Sequence, residues 1–246
     1  MKVILLIALF SIICLNSFSQ KFIIDTICCR DTVLKQPSRS IKGIEDSAFR
    51  VKTVKCTKRS NLGTRIEVGV SKYNYNNKTE QWLGNHLGPN FNLIFTINKF
   101  NLGIRFKPAT VNTKTNLVFT NDTLPIYSKL NPIKLDYYLG YSFDFTHNIS
   151  IEPYIGYSHT RFTIINENEL KNKLSIPDVN GFISGVTGNK YFKLKGHNYV
   201  AIFASLGYAF VNYNNVNENL DRGYFELTIG IAYKGFLERQ FLREVE

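Results

Sequence analysis

The feature that most constrains the fold is a two-residue alternation of large apolar side chains, clearest in residues 90–108. The first half of this stretch is apolar at every second position: Phe91, Leu93, Phe95 and Ile97. After Asn98-Lys99 the alternation resumes with Phe100, Leu102, Ile104 and Phe106. Because successive side chains of a strand point to opposite faces, the stretch predicts a β-hairpin with one apolar and one polar face. The apolar face must meet either a folded core or lipid.

The same alternation recurs throughout residues 62–236 and predicts eight strands. They cover residues 64–73, the two halves of 90–108, 133–145, 149–157, 181–194, 199–213 and 224–236. Most are about nine to fourteen residues long, whereas strands of ordinary globular proteins have about five or six. A tilted strand that crosses a membrane needs about 9–11 residues. The strand lengths therefore favour a membrane-spanning sheet.

The connections between these strands alternate in length without exception. The long ones are residues 75–88, 108–131, 158–180 and 214–222, and the short ones are 98–99, 146–148 and 195–198. Barrels of the bacterial outer membrane have an even number of strands, long outer loops and short periplasmic turns. The pattern predicts an all-β protein, an eight-stranded antiparallel up-and-down transmembrane β-barrel with long outer loops and short periplasmic turns.

The polar faces of the strands distinguish lipid from core. They carry glycines near the middle of most strands and ten charged residues, five of each sign, which suits a crowded interior in which buried charges must pair. We predict an interior charge network of Arg65, Glu67, Arg105, Lys107, Lys134, Asp136, Asp144, Glu152, Glu226 and Lys234. The polar face of a soluble periplasmic sandwich or barrel, facing bulk water, remains the alternative.

The segments outside the barrel have a different texture. Residues 1–19 have a positive start, an apolar run and small residues before Gln20, and therefore predict a secretory signal peptide cleaved near Ser19. Residues 20–61 form a basic periplasmic leader, and residues 237–246 form a C-terminal tail. An oxidising compartment permits a disulfide that joins Cys56 to Cys28 or Cys29 and leaves one thiol over.

At this point the chain resembles the small outer-membrane β-barrel family of the OmpA/OmpX type, porin-like proteins of Gram-negative bacteria. The resemblance covers residues 62–236 and rests on the architecture and on segments such as YYLGYSFDFTHNISIEPYIGYS and GYFELTIGIAYKGF. It implies a place in the outer membrane, in contact with its lipid. The family often ends on an aromatic residue that closes the last strand, whereas here LERQFLREVE follows Phe236.

The sequence contains no motif that indicates an enzyme, a metal site or a cofactor. The four histidines, which we expect to be solvated, lack metal-ligand spacing: His86, His147, His159 and His197. Some eight-stranded barrels are lipid A-modifying enzymes with a Ser and a His near the outer rim. Ser158 and His159 are adjacent, hence on opposite faces, so this match fails in detail. The net charge of +11 is not gathered into a nucleic-acid-binding signature.

We therefore predict a monomeric, non-enzymatic barrel that acts as an envelope structural or surface-interaction protein. Its loops would contact an extracellular glycan or protein, and the candidate contact residues are Trp82, Phe119 and Tyr127. The alternatives are a small pore or transporter and a lipid A-modifying enzyme. A pore is disfavoured because the interior of an eight-stranded barrel is just wide enough for side chains to fill it.

Overall fold

The structure is a computed structural model that describes residues 28–34, 52–119, 122–145, 148–165, 176–194 and 196–245. The predicted signal peptide, residues 1–19, and much of the predicted leader, residues 20–61, lie outside the described residues. Among the described residues, no helix is long and apolar enough to cross a membrane.

Eight long antiparallel strands form a closed barrel. They are β1 Lys52–Tyr75, β2 His86–Ile97, β3 Phe100–Pro108, β4 Lys129–Tyr141, β5 Ile149–Ile164, β6 Val179–Lys193, β7 Asn198–Val211 and β8 Tyr224–Val245. Each strand pairs with the next along the chain, and β8 neighbours β1, so the sheet closes on itself. The predicted all-β, eight-stranded antiparallel fold is confirmed.

The strand ends differ from the prediction at both termini of the barrel. β1 begins at Lys52 rather than at residue 64, and β8 continues to Val245 rather than ending at Phe236. These extensions carry charged residues where a lipid-facing strand would carry apolar ones, so the alternation that marks the other strands is absent from them. Within the predicted fourth strand, Phe143–Phe145 forms a separate short strand after β4.

The chain divides into two compact units, residues 61–236 and residues 1–60 with 237–246. In the second unit, the strand Cys28–Leu34 pairs antiparallel with the beginning of β1. The backbone register sets Cys29 opposite Cys56 and Cys28 opposite Thr57, and Cys56 is disulfide-bonded. A cross-strand disulfide requires close Cβ atoms, so we propose Cys29 as the partner of Cys56.

The two faces of the barrel wall have opposite polarity. Apolar side chains along every strand point outward and are exposed; Ile229, in the middle of β8, is 61% exposed. The alternate residues point inward and are buried even where they are charged; Lys107 is 0% exposed. This arrangement follows from the pleat, because a strand in a closed barrel has one face inside and one outside.

The connections distinguish the two ends of the barrel, which we name the turn end and the cap end. At the turn end, β2 and β3 are joined by Asn98-Lys99, and Asn98 adopts a positive φ of 57°, which Asn tolerates better than most residues. At the cap end the connections are long and contain helix α1 Asn77–Leu83, short strands and a 3-10 turn. The remaining elements are Val111–Asn112, Leu117–Phe119, Asp122–Leu124 and Tyr213–Asn215. Together these connections are the cap.

Candidate functional site: the barrel interior and the cap

Arg65 forms an ion-pair cluster in the interior with two carboxylates. Its guanidinium lies 2.6 and 2.5 Å from the two carboxylate oxygens of Glu152, and its Nε lies 2.9 Å from Glu67. Arg65 also donates to Tyr191 Oη at 2.8 Å. The planar guanidinium suits such paired contacts, so one residue of β1 is bound across the interior to β5.

Lys107 forms a second cluster nearer the cap end. Its Nζ lies 2.5 Å from Asp136 Oδ2 and 2.5 Å from Glu226 Oε2. Ser71 and Thr228 donate to the other oxygen of Glu226 at 3.0 and 3.1 Å. The two carboxylates and the ammonium are thus paired and further hydrogen-bonded, as buried charges require.

Arg105 lies between two tyrosine rings instead of beside a carboxylate. Its guanidinium carbon is 4.8 Å from the ring centre of Tyr138 and 4.9 Å from that of Tyr154. Both rings occupy space that only glycine leaves open: a Cβ on Gly103 would collide with the ring of Tyr138, and one on Gly185 would lie 2.5 Å from Tyr154 Oη. The interior glycines thus make room for the rings that stack on Arg105.

Lys134 is enclosed by tyrosines below the cap. It donates to Tyr75 Oη at 2.7 Å, and its Nζ lies 3.6 and 3.9 Å from the ring centres of Tyr73 and Tyr224. Among the described residues, no carboxylate forms an ion pair with Lys134. The sequence analysis missed these tyrosines as partners, although Tyr73, Tyr75 and Tyr224 lie in phase with the inward polar residues.

Nine of the ten charged residues predicted for the interior are buried. The ninth, Lys234, lies 4.9 Å from the ring centre of Tyr191 and 5.1 Å from that of Phe236. Asp144 is a correction: it was predicted in the network, but its side chain is exposed. It lies on the short strand Phe143–Phe145 next to the connection at the turn end, where an inward-facing side chain still reaches solvent.

The cap has an apolar core of its own. Trp82 is 1% exposed and packs on Phe162, with ring centres 5.7 Å apart, while Leu83 and Tyr213 are also buried. The backbone N–H of Lys114 donates to the Trp82 carbonyl oxygen at 2.8 Å, which ties the second long connection to helix α1. Trp82 was predicted as an exposed contact residue, and that prediction is wrong, because the connections fold onto one another and bury the indole.

Tyr127 is the opposite case, 74% exposed on the cap. It has a positive φ of 65°, an unusual conformation for an aromatic residue, and its turn is fastened by neighbours. Its N–H donates to the Thr113 carbonyl oxygen at 2.9 Å, and the N–H of Ile126 donates to Asn116 Oδ1 at 2.6 Å. Ile126 and Val118 are exposed as well. The side chain of Phe119 lies outside the described residues.

The histidines and Ser158 are distributed without a common site. His197 is buried, contrary to the prediction of a solvated turn residue, and His147 lies outside the described residues. His159 is partly exposed and pairs with Asn180 and Asp178, at 2.6 and 3.5 Å. Ser158 is buried in the interior, so Ser158 and His159 lie on opposite faces of β5. Within the described residues, no group of His, Cys, Asp or Glu side chains could hold a metal ion.

The closed ring of eight antiparallel strands, with charges inside and an apolar outer face, decides the architecture. The fold is that of a small outer-membrane β-barrel. No protein-family model matches the chain, and no curated protein matches it. The resemblance drawn from the sequence is thus confirmed at the level of the fold.

Solved structures of outer-membrane proteins were found to be similar to this barrel. OprG from Pseudomonas aeruginosa has a TM-score of 0.46 at 10% identity, covering 72% of this chain and 96% of that chain. Neisserial surface protein A has a TM-score of 0.44 at 11% identity, covering 72% and 98%. Ail of Yersinia pestis, in complex with the heparin analogue sucrose octasulfate, has a TM-score of 0.42 at 14% identity, covering 71% and 99%.

Proposed function

We propose that the protein is an integral outer-membrane barrel whose interior is filled by paired charges and tyrosines and whose cap is a surface for interaction outside the cell. The observation that carries the proposal is the exposed apolar belt. Soluble monomers rarely expose contiguous apolar patches larger than a few hundred Å². Here all eight strands expose large apolar side chains, among them Ile66, Phe91, Leu102, Leu139, Ile155, Phe182, Ile202 and Ile229.

The interior argues against the alternative of a small pore. Arg105 between its two tyrosines, the Arg65 cluster and the Lys107 cluster occupy the middle of an eight-stranded barrel, which has no room beyond its own side chains. Purified protein in planar lipid bilayers should therefore show no steady single-channel conductance.

The surface role rests on the turn that carries Tyr127. A strained, hydrogen-bonded backbone that holds an aromatic side chain in solvent is typical of binding positions, and tyrosine is enriched where proteins contact partners. Ile126 and Val118 add aliphatic surface, which favours a protein partner with an apolar pocket over a glycan as the contact. A lipid A-modifying activity has no support from the positions of Ser158 and His159.

Site-directed labelling tests the orientation. A Tyr127→Cys variant on intact cells should react with a membrane-impermeant maleimide, whereas Lys99→Cys, at the turn end, should react only after the outer membrane is permeabilised. Unsubstituted protein reports the background from the native thiols. Labelling of Lys99→Cys alone on intact cells would reverse the orientation, and release of the protein in the soluble fraction would contradict membrane insertion.

Binding then tests the interaction itself. An array of extracellular-matrix proteins and glycans, probed with the barrel in detergent, should give protein signals that Tyr127→Ala reduces about tenfold or more, the loss expected of a binding hot spot. Lys99→Ala is the matched control and should bind like the parent. Signals confined to glycans would contradict the protein partner, and equal binding by both variants would exclude the Tyr127 turn.

A further inference from the structure

The buried interior carries one positive charge more than its carboxylates balance. Asp144 is exposed, so the charged side chains buried among the described residues are five cations and four carboxylates. They are Arg65, Arg105, Lys107, Lys134 and Lys234 against Glu67, Asp136, Glu152 and Glu226. An uncompensated charge away from water is costly, so a counter-charge at this place would stabilise the fold.

Lys134 is the place where the excess lies closest to suitable ligands. Arg65 and Lys107 each contact two carboxylates, whereas Lys134 has one phenol oxygen and two ring faces around its ammonium. Ring faces attract a cation through their quadrupole but carry no net charge. The tyrosines therefore hold the ammonium in position without neutralising it.

Hydroxyl groups beside Lys134 have unused hydrogen-bonding capacity. Thr160 lies directly opposite Lys134 in the β4–β5 register, and Ser158 lies two residues away on the same face of β5. Both side chains are fully buried, and neither hydroxyl has a hydrogen-bond partner among the described residues. The same holds for Tyr224 Oη. Buried polar atoms normally have partners, so three orphaned hydroxyls in one region indicate a ligand.

We propose that the interior binds one small monovalent anion, of the size of chloride, beside Lys134 and within reach of the Thr160 and Tyr224 hydroxyls. Water alone would satisfy the hydroxyls but not the excess charge, and a cation would meet the repulsion of Lys134. An anion answers both needs with the donors already present. The ion would be taken up as the barrel folds, because the cap covers this end.

Thermal stability at constant ionic strength tests the site, with sodium gluconate replaced stepwise by sodium chloride. The readout is the temperature at which the purified barrel loses its compact migration on an SDS gel. For the parent protein we expect a rise of roughly 3 to 5 °C for each tenfold increase in chloride above half-saturation. Lys134→Met should lose the response, whereas Lys193→Met, at an exposed lysine, should keep it. Thr160→Val should raise the half-saturating chloride concentration about tenfold.

Crystals grown in bromide give an independent readout. We expect an anomalous peak beside Lys134, within hydrogen-bonding distance of the Thr160 hydroxyl. A melting temperature that is the same in gluconate and chloride, or crystals without this peak, would overturn the proposal and leave Lys134 as a neutral amine. If Lys134→Met does not fold, the response of the parent protein and the bromide peak decide the question.

Discussion

The inner and outer faces of the barrel wall are built from the same strands yet follow opposite rules. On β8, Glu226, Thr228 and Lys234 are buried inside, while Leu227, Ile229 and Ile231 between them are exposed outside. In a protein dissolved in water the apolar set would be the buried one. The inversion teaches that the outer face is adapted to a hydrocarbon solvent and that the polar face has become the core.

The two faces also obtain stability from different sources. Outside, side chains need only be apolar, so neighbouring positions are interchangeable. Inside, each charge needs a particular partner, as Arg65 needs Glu152 and Lys107 needs Glu226. Substitutions should therefore have effects that depend on chemical class outside and on individual partners inside, and three predictions separate these cases.

The largest effect is expected inside, for Arg65→Met. It leaves Glu67 and Glu152 as buried carboxylates without their cation and should reduce the free energy of unfolding by about 3–5 kcal/mol. Urea unfolding of the barrel in lipid vesicles measures the loss. Adding Glu152→Met to the same chain should restore much of it, and Lys193→Met should change it by less than about 0.5 kcal/mol. A loss for Arg65→Met no larger than that of Lys193→Met would show that the interior is hydrated.

The next effect is expected on the outer face, for Ile229→Arg. A charge near the middle of a membrane costs about 2–4 kcal/mol, and near the interfaces about 0–1 kcal/mol. Leu87→Arg, at an exposed position near the cap end of β2, is the matched control and should cost much less. The same unfolding measurement in vesicles compares them. Equal free energies for the two variants would mean that the belt does not face lipid.

The smallest effect is expected from a single methyl group, for Gly103→Ala. The new Cβ would collide with the ring of Tyr138, which stacks on Arg105, and overpacking of this kind costs about 1–3 kcal/mol. Gly188→Ala is the matched control on the outer face, where the nearest atom to the new Cβ is 3.9 Å away. Equal unfolding midpoints for these two variants would contradict the close fit of Tyr138 on Gly103.

The elements that the sequence predicted well are those in which the alternation is regular. The strand of residues 90–97 was placed with its partner at 100–108, and nine of the ten inward charges are buried. The prediction was wrong for Asp144 and Trp82 because alternation reports which face a side chain occupies, not whether that face is covered. Asp144 lies near an open end, and Trp82 lies in a connection that folds onto others.

What the sequence determined by itself is the strand, its two faces and the number of strands, because the pleat is local and repeats every second residue. Only the tertiary structure decided which charges meet. Arg65 and Glu152 are 87 residues apart, and Lys134 reaches tyrosines on β1 and β8. Such contacts cross the interior, and they exist only after the sheet has closed with a particular stagger, which no local pattern encodes.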